Sequence, residues 1–132
     1  KINDNSIIQI SKIEIDRLID NNLSNAIKYS YINSDIQIEL DKNILNIISS
    51  GDEIKDVDKI FIKYTRENHI KGGHGLGLSI VKSICMKYNI SIKVTSSNNK
   101  NIFSYKFNCY DLEDKERENK IWKFFYWKMT II

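Results

Sequence analysis

Two stretches of the chain carry apolar residues at helical spacing, and several others carry them at every second position. In residues 14–30, EIDRLIDNNLSNAIKYS, the side chains of Ile15, Ile19, Leu23 and Ala26 fall on one helix face. In 77–89, GLSIVKSICMKYN, the same period gathers Leu78, Val81, Ile84 and Cys85. The alternating segments come in pairs. DIQIEL and ILNIIS around DKN predict a β-hairpin over 35–49, and ISIKVTSS and IFSYKFNCY predict a second one around NNKN. SIIQI (6–10) reads as a short strand and SGDE (50–53) as a turn. VDKIFIKYTR (57–66) reads as a short helix, followed by a loop as far as Gly75. Strand, helix, hairpin, loops, helix, hairpin is the order of an α+β fold, a two-layer α/β sandwich of helices on a mostly antiparallel sheet. No internal repeat or linker interrupts it. The simplest division is one domain over 1–110, with 111–132 as a charged, then aromatic, C-terminal tail that reads as helical.

Composition adds bounds rather than direction. A chain of 132 residues with 42% hydrophobic content has material for one core. Its Ile, Lys and Asn richness follows AT-rich codons as much as chemistry. A net charge of +3 with little Arg does not argue for a nucleic-acid partner. Cys85 and Cys109 stand far apart without metal-ligand spacing, so a reduced, intracellular protein is expected. The chain opens at Lys1 without Met or a signal peptide and reads as a piece of something larger. The tail segment IWKFFYWKMTII is too short to span a bilayer as it stands.

The first candidate chemistry is KGGHGLGLSIVKSI, residues 71–84, which holds four of the five glycines: Gly72, Gly73, Gly75 and Gly77. Bare backbone that opens a helix leaves unpaired N–H groups at the positive end of the helix dipole, a seat for phosphate. The plain alternative is a flexible helix start with no ligand, and four glycines within six positions weigh against it. The spacing is neither of the two common phosphate loops. A Walker loop needs Lys and Ser or Thr after its last glycine, whereas Leu78 and Ser79 follow Gly77. The dinucleotide pattern fails because no glycine stands where its third belongs.

The second lies on helix 14–30. With Asn21 placed at zero and about 100° per residue, Asn25 lies at about 40°, Lys28 at about −20° and Tyr29 at about 80°. Two amides, an ammonium and a phenol then share one polar face, with the Ile/Leu/Ala face expected opposite. Asn is a mediocre helix former. An amide oxygen can ligate a hard cation such as Mg²⁺, and a lysine one turn on can meet a phosphate. The alternative is a solvated face in an Asn-rich chain.

Together these stretches carry a resemblance. NNLSNAIKYS resembles the N-box of the GHKL (Bergerat) ATP-binding fold, and ISSGDEI its first glycine box. IFIKYTR resembles the phenylalanine box of sensor histidine kinases, and GGHGLGLSIVK the second glycine box. The four run in order over residues 7–109, so the chain is similar to the catalytic and ATP-binding domain of a bacterial two-component histidine kinase.

The resemblance implies ATP and Mg²⁺ as ligands and a role for each matching residue. Asn21 takes the place of the asparagine that holds Mg²⁺ on the ATP phosphates, and Asn25 that of the motif's second asparagine. Lys28 matches the lysine that reaches toward the phosphates, and Tyr29 the aromatic beside adenine and ribose. Ser49, Gly51 and Ile54 fall in the loop that lines the adenine pocket. Arg66 matches the arginine of the phenylalanine box, residues 65–74 the lid, and Gly73, His74, Gly75, Leu76 and Gly77 the wrap around the triphosphate. Three positions depart from the pattern. Ser49 stands where the family has the Asp that accepts from the adenine amino group, Glu53 replaces a glycine, and Asn22 replaces an N-box leucine. Loss of a charge-assisted bond costs about 1.5–3 kcal/mol, roughly ten- to a hundred-fold in affinity.

Relatives in this superfamily that hydrolyse ATP carry a glutamate one turn before the metal asparagine. Arg17 is there instead and cannot act as a base, which favours a kinase over a hydrolase. His69 and His74 fall in the lid, and no His-Glu-x-Arg/Lys-Thr-Pro stretch is present, so the acceptor histidine would lie on a separate dimerisation domain. The implied setting is the cytoplasmic domain of a membrane sensor, relaying phosphate to a response regulator, with membrane contact only through other parts of that protein. The alternative of another class is a degenerate, non-catalytic nucleotide sensor or docking module, which Ser49 and Glu53 motivate.

Overall fold

The computed structural model describes residues 8–62 and 76–108. Arg66, Gly73, His74 and Gly75, with the whole expected lid over 65–74 and the whole 111–132 tail, lie outside the described residues.

Helix α1 runs from Lys12 to Tyr29, starting two residues earlier than the periodicity indicates. The reason is Ser11, whose hydroxyl caps the helix by accepting the Glu14 N–H and also donates to the Glu14 carboxylate at 2.9 Å. Strands β1 (Gln37–Asp41) and β2 (Ile44–Ser50) form the first hairpin, and β3 (Ser91–Ser97) and β4 (Lys100–Lys106) the second. Helix α2, Gly77–Lys87, lies between the hairpins in sequence. The turns are two residues long, and Lys42, Asn98 and Asn99 take the positive φ that such turns need. Asn tolerates that region better than most residues. The second turn is therefore shorter than NNKN, and Lys100 and Asn101 belong to β4.

The four strands form one antiparallel sheet in the order β1-β2-β4-β3. Pairing puts Leu40, Leu45, Tyr105 and Ile92 in one row across its inner face, and Ile38, Ile47, Phe103 and Val94 in the next. Ile15 and Leu18 of α1 and Val81, Ile84 and Cys85 of α2 close over these rows, so the core lies between one helix layer and one sheet. The expected α+β two-layer sandwich is the observed architecture.

Three local expectations change. Residues 8–11 carry no strand, yet Ile8 and Ile10 are buried and Gln9 is exposed. The alternation is real but plugs the core without pairing in the sheet. The helix expected over 57–66 is reduced, among its described residues, to one 3₁₀ turn at Lys59–Phe61 with no buried residue to hold more. The Asp56 carboxylate caps that turn, accepting from Asp58 N–H at 3.2 Å and Lys59 N–H at 3.3 Å. Finally, the buried face of α1 is Ile15, Leu18, Asn22 and Ala26, while Ile19 and Leu23 are only half-buried. The helix is turned so that a polar residue, Asn22, sits in the core.

Candidate functional site

The rotation of α1 decides where its polar face points. On the same wheel, Leu18, Asn22, Ile15 and Ala26 lie at about 60–140°, next to Asn21 and Asn25 rather than opposite them. The polar face therefore adjoins the core at the seam between the helices. These run antiparallel: Glu14 meets Lys87 at one end, and Asn21 meets Gly77 at the other.

At the second end, Asn21 Nδ2 donates to the Arg17 carbonyl at 2.7 Å, which turns Oδ1 toward α2. A Cβ on Gly77 would lie 2.9 Å from that oxygen, so the close approach needs glycine. Among the described residues, no side chain caps α2. Its N-cap is Leu76, whose carbonyl accepts Ile80 N–H at 3.0 Å and the Ser79 hydroxyl at 2.7 Å. The described start of α2, Leu76 and Gly77, is thus set against Asn21 with no capping side chain among the described residues. One turn further along α1, Asn25 Nδ2 is buried without a hydrogen-bond partner among the described residues. A buried amide without a partner is costly unless something else supplies an acceptor.

Lys28 and Tyr29 end the helix. The Lys28 ammonium lies 5.3 Å from the Tyr29 ring centre, so the two side chains lie together at the end of α1. There the first glycine box is stitched to the helix terminus. Ser30 and Gly51 form a bridge, Tyr31 N–H donates to Ser50 O at 2.8 Å, and Gly51 N–H donates to Asn99 O at 2.9 Å. A Cβ on Gly51 would strike the Tyr29 carbonyl oxygen and come within 3.3 Å of its carbon. Tyr31 donates its hydroxyl to Asp52 Oδ1 at 3.0 Å. Burial, and then that bond, raise the phenol's pKa.

Ser49 is buried on the inner face of the sheet, beside Asn101 and in one row with Ser96. Sequence reasoning missed Asn101 and Ser96. Ile54 N–H donates to Ser96 Oγ at 2.8 Å, Ser96 Oγ donates to Asn101 Oδ1 at 2.5 Å, and Asn101 Nδ2 donates to Asp52 O at 3.0 Å. The available signal was register: Asn101 alternates with inward-facing Phe103, Tyr105 and Phe107, so an amide there had to be buried.

At the other end of the helix pair, the Glu14 carboxylate takes hydrogen bonds from Tyr88 and Ser11 and an ion pair from Lys87 at 2.9 Å. The Tyr88 hydroxyl, then Lys87, hold its pKa down to about 2. In the core, burial pushes the Cys85 thiol up to about 12. Burial also raises the Tyr105 phenol, against the Asn22 hydrogen bond that lowers it.

Among the described residues, no group of three or more His, Cys, Asp or Glu could hold a metal. A cation here would depend on amide oxygens and on the phosphates it accompanies. The oxygen of Asn21 and the unmatched amide of Asn25 suit such a metal–phosphate group. Arg17 is exposed, one turn before Asn21, and supplies its backbone carbonyl to that residue. Among the described residues, no helix is long and apolar enough to cross a membrane.

Comparison with known proteins shows the family and the fold. Sensor histidine kinase HprS of Escherichia coli (strain K12) is 34% identical over 110 residues, covering 78% of this chain and 24% of that protein. The chain therefore spans about a quarter of that relative's length. Among solved structures, Acinetobacter baumannii histidine kinase AdeS matches with a TM-score of 0.61 and 25% identity over 79% of this chain and 50% of that one. The catalytic domain of histidine kinase ThkA, nucleotide-free, matches in fold with a TM-score of 0.64 and 24% identity, over 76% of this chain and 69% of that one. The family described as histidine kinase-, DNA gyrase B- and HSP90-like ATPase matches residues 11–110, and the chain belongs to it.

Proposed function

We propose that this chain binds Mg–ATP along the α1–α2 seam and presents the γ-phosphate to a histidine on a separate dimerisation domain, for relay to a response regulator. The observation that carries this reading is the pairing of Asn21 Oδ1 with the bare Gly77 backbone, which sets a hard oxygen ligand against the start of α2. The unmatched Asn25 amide beside it supports the same reading.

In this reading Asn21 and Asn25 hold the metal–phosphate group, and the metal neutralises charge on the triphosphate. The first-turn N–H groups of α2, with Gly73, His74, Gly75, Leu76 and Gly77, wrap the phosphates. Lys28 swings from the Tyr29 ring toward them, and Arg66 acts from the lid. Tyr29, Ser49, Gly51 and Ile54 receive the base and ribose. Phosphoryl transfer asks mainly for positioning and charge neutralisation, and these residues supply both. A guanidinium side chain at Arg17 is no general base for drawing a proton from water, which favours transfer to a protein nucleophile over hydrolysis.

Ser49 favours a second reading, a nucleotide-sensing or docking module without transfer. Calorimetry with ADP and a non-hydrolysable ATP analogue, with and without Mg²⁺, followed by phosphorylation of an added dimerisation domain in trans, separates the two. Mg²⁺-dependent binding with transfer supports the kinase, binding without transfer supports the sensor, and no binding overturns the kinase and leaves the docking module.

A further inference from the structure

The inner face of the sheet is apolar in two successive rows and then turns polar. The third row is Ser49, Asn101 and Ser96, paired across β2, β4 and β3. Ser49 and Asn101 are buried there, 8% and 6% exposed. Two of the three are fully engaged with one another and with the loop above. Ile54 N–H rests on Ser96 Oγ, whose proton goes to Asn101 Oδ1, while Asn101 Nδ2 reaches the Asp52 carbonyl. The loop after Gly51 is thus held at two backbone points, Asp52 O and Ile54 N–H, by one closed set of bonds rooted in the sheet. Asn101 Nδ2 would also lie 3.5 Å from a Cβ on Gly51, so the amide backs the glycine itself.

We infer that Asn101, acting with Ser96, is the positioning residue that fixes the base-side loop of the nucleotide site. This rests on the nucleotide-binding reading above. Asn suits the position because it offers a donor and an acceptor at once. A carboxylate of the same shape keeps the acceptor for Ser96 but turns an oxygen toward the Asp52 carbonyl. The triphosphate end of the site, at Asn21 and Gly77, lies on the helices, and among the described residues it shares no hydrogen bond with this set.

The test compares wild type with Asn101→Asp and Ser96→Ala in three measurements: affinity for Mg–ADP, affinity for Mg–tripolyphosphate, and amide exchange at Ile54 without ligand. The expected result is about tenfold weaker Mg–ADP binding in both variants, the scale of one lost buried hydrogen bond. Tripolyphosphate affinity should stay unchanged, and Ile54 exchange should be faster in Ser96→Ala. Equal losses for both ligands would mean general damage and overturn the positioning role, as would unchanged Mg–ADP affinity with Ile54 deprotected. Wild-type exchange at Ile54 in Ser96→Ala overturns the clamp itself, whatever the ligand results. A wild-type chain that binds neither ligand overturns the nucleotide reading and the positioning role with it, while Ile54 exchange still judges the clamp.

Discussion

Tyr105 on β4 donates its hydroxyl to Asn22 Oδ1 on α1 at 2.5 Å, and both residues are buried. Asn22 in turn donates Nδ2 to the Leu18 carbonyl at 2.7 Å, so one amide joins the helix to the sheet through the middle of the core. This bond turns α1 about its axis, and the turn places Asn21 and Asn25 at the seam.

Asn22→Leu restores an apolar core letter but strands the Tyr105 hydroxyl, and should destabilise by about 1–3 kcal/mol. Tyr105→Phe strands the Asn22 oxygen instead and should cost a similar amount. The double variant Asn22→Leu/Tyr105→Phe should be much closer to wild type than the sum of the singles. Denaturant unfolding of all four proteins measures the coupling, and simple additivity would show that the pair acts independently.

The two described glycines at the site should separate stability from binding. In Gly51→Ala the new methyl meets the Tyr29 backbone carbonyl, which cannot move alone, so a stability loss of about 1–3 kcal/mol is expected. In Gly77→Ala it meets the end of the Asn21 side chain, which can swing away. That variant should melt near wild type yet lose nucleotide affinity. Thermal melts paired with calorimetry check both.

Asn21→Ala should abolish Mg²⁺-dependent phosphoryl transfer to an added dimerisation domain while leaving the fold intact, since its bond to the Arg17 carbonyl is local to α1. Transfer at the wild-type rate would remove Asn21 from the metal assignment. The unmodified chain alone should incorporate no labelled phosphate from ATP.

Acid should loosen the junction of α1 with the end of α2. The folded-state pKa of Glu14 is depressed to about 2 by the Tyr88 and Lys87 contacts. Its stabilising share is therefore present above the unfolded carboxyl value, about 4.3, and is lost as pH falls through the folded one. Glu14→Gln should lower the melting temperature by a few degrees at pH 7. The gap to wild type should shrink steadily from about pH 5 toward pH 2. A pH-independent gap would mean that Glu14 acts by packing alone.

Cys85 should resist alkylation in the folded protein, because burial keeps its thiol protonated with a pKa of about 12. Mass-spectrometric labelling before and after denaturation reads this at the Cys85 peptide. Modification at the denatured rate in native buffer would contradict the core placement.

Much of this molecule was legible as letters because its signals are local. Both helices, both hairpins and the α+β order follow from period and turn chemistry, which neighbouring residues settle among themselves. The asparagine pair and the glycine run were legible for the same reason, since a helix face and a helix start are defined within a few turns. Residues 8–10 carry no strand and 57–62 only one 3₁₀ turn, because alternation and propensity do not say whether a partner strand or a burying surface is at hand. Only the tertiary structure decided which way α1 is rotated, because that depends on Tyr105, 83 positions away, meeting Asn22 in the core. The same holds for the loop after Gly51. Its hold on Ser96 and Asn101 comes from strand register, and register exists only once the hairpins have paired.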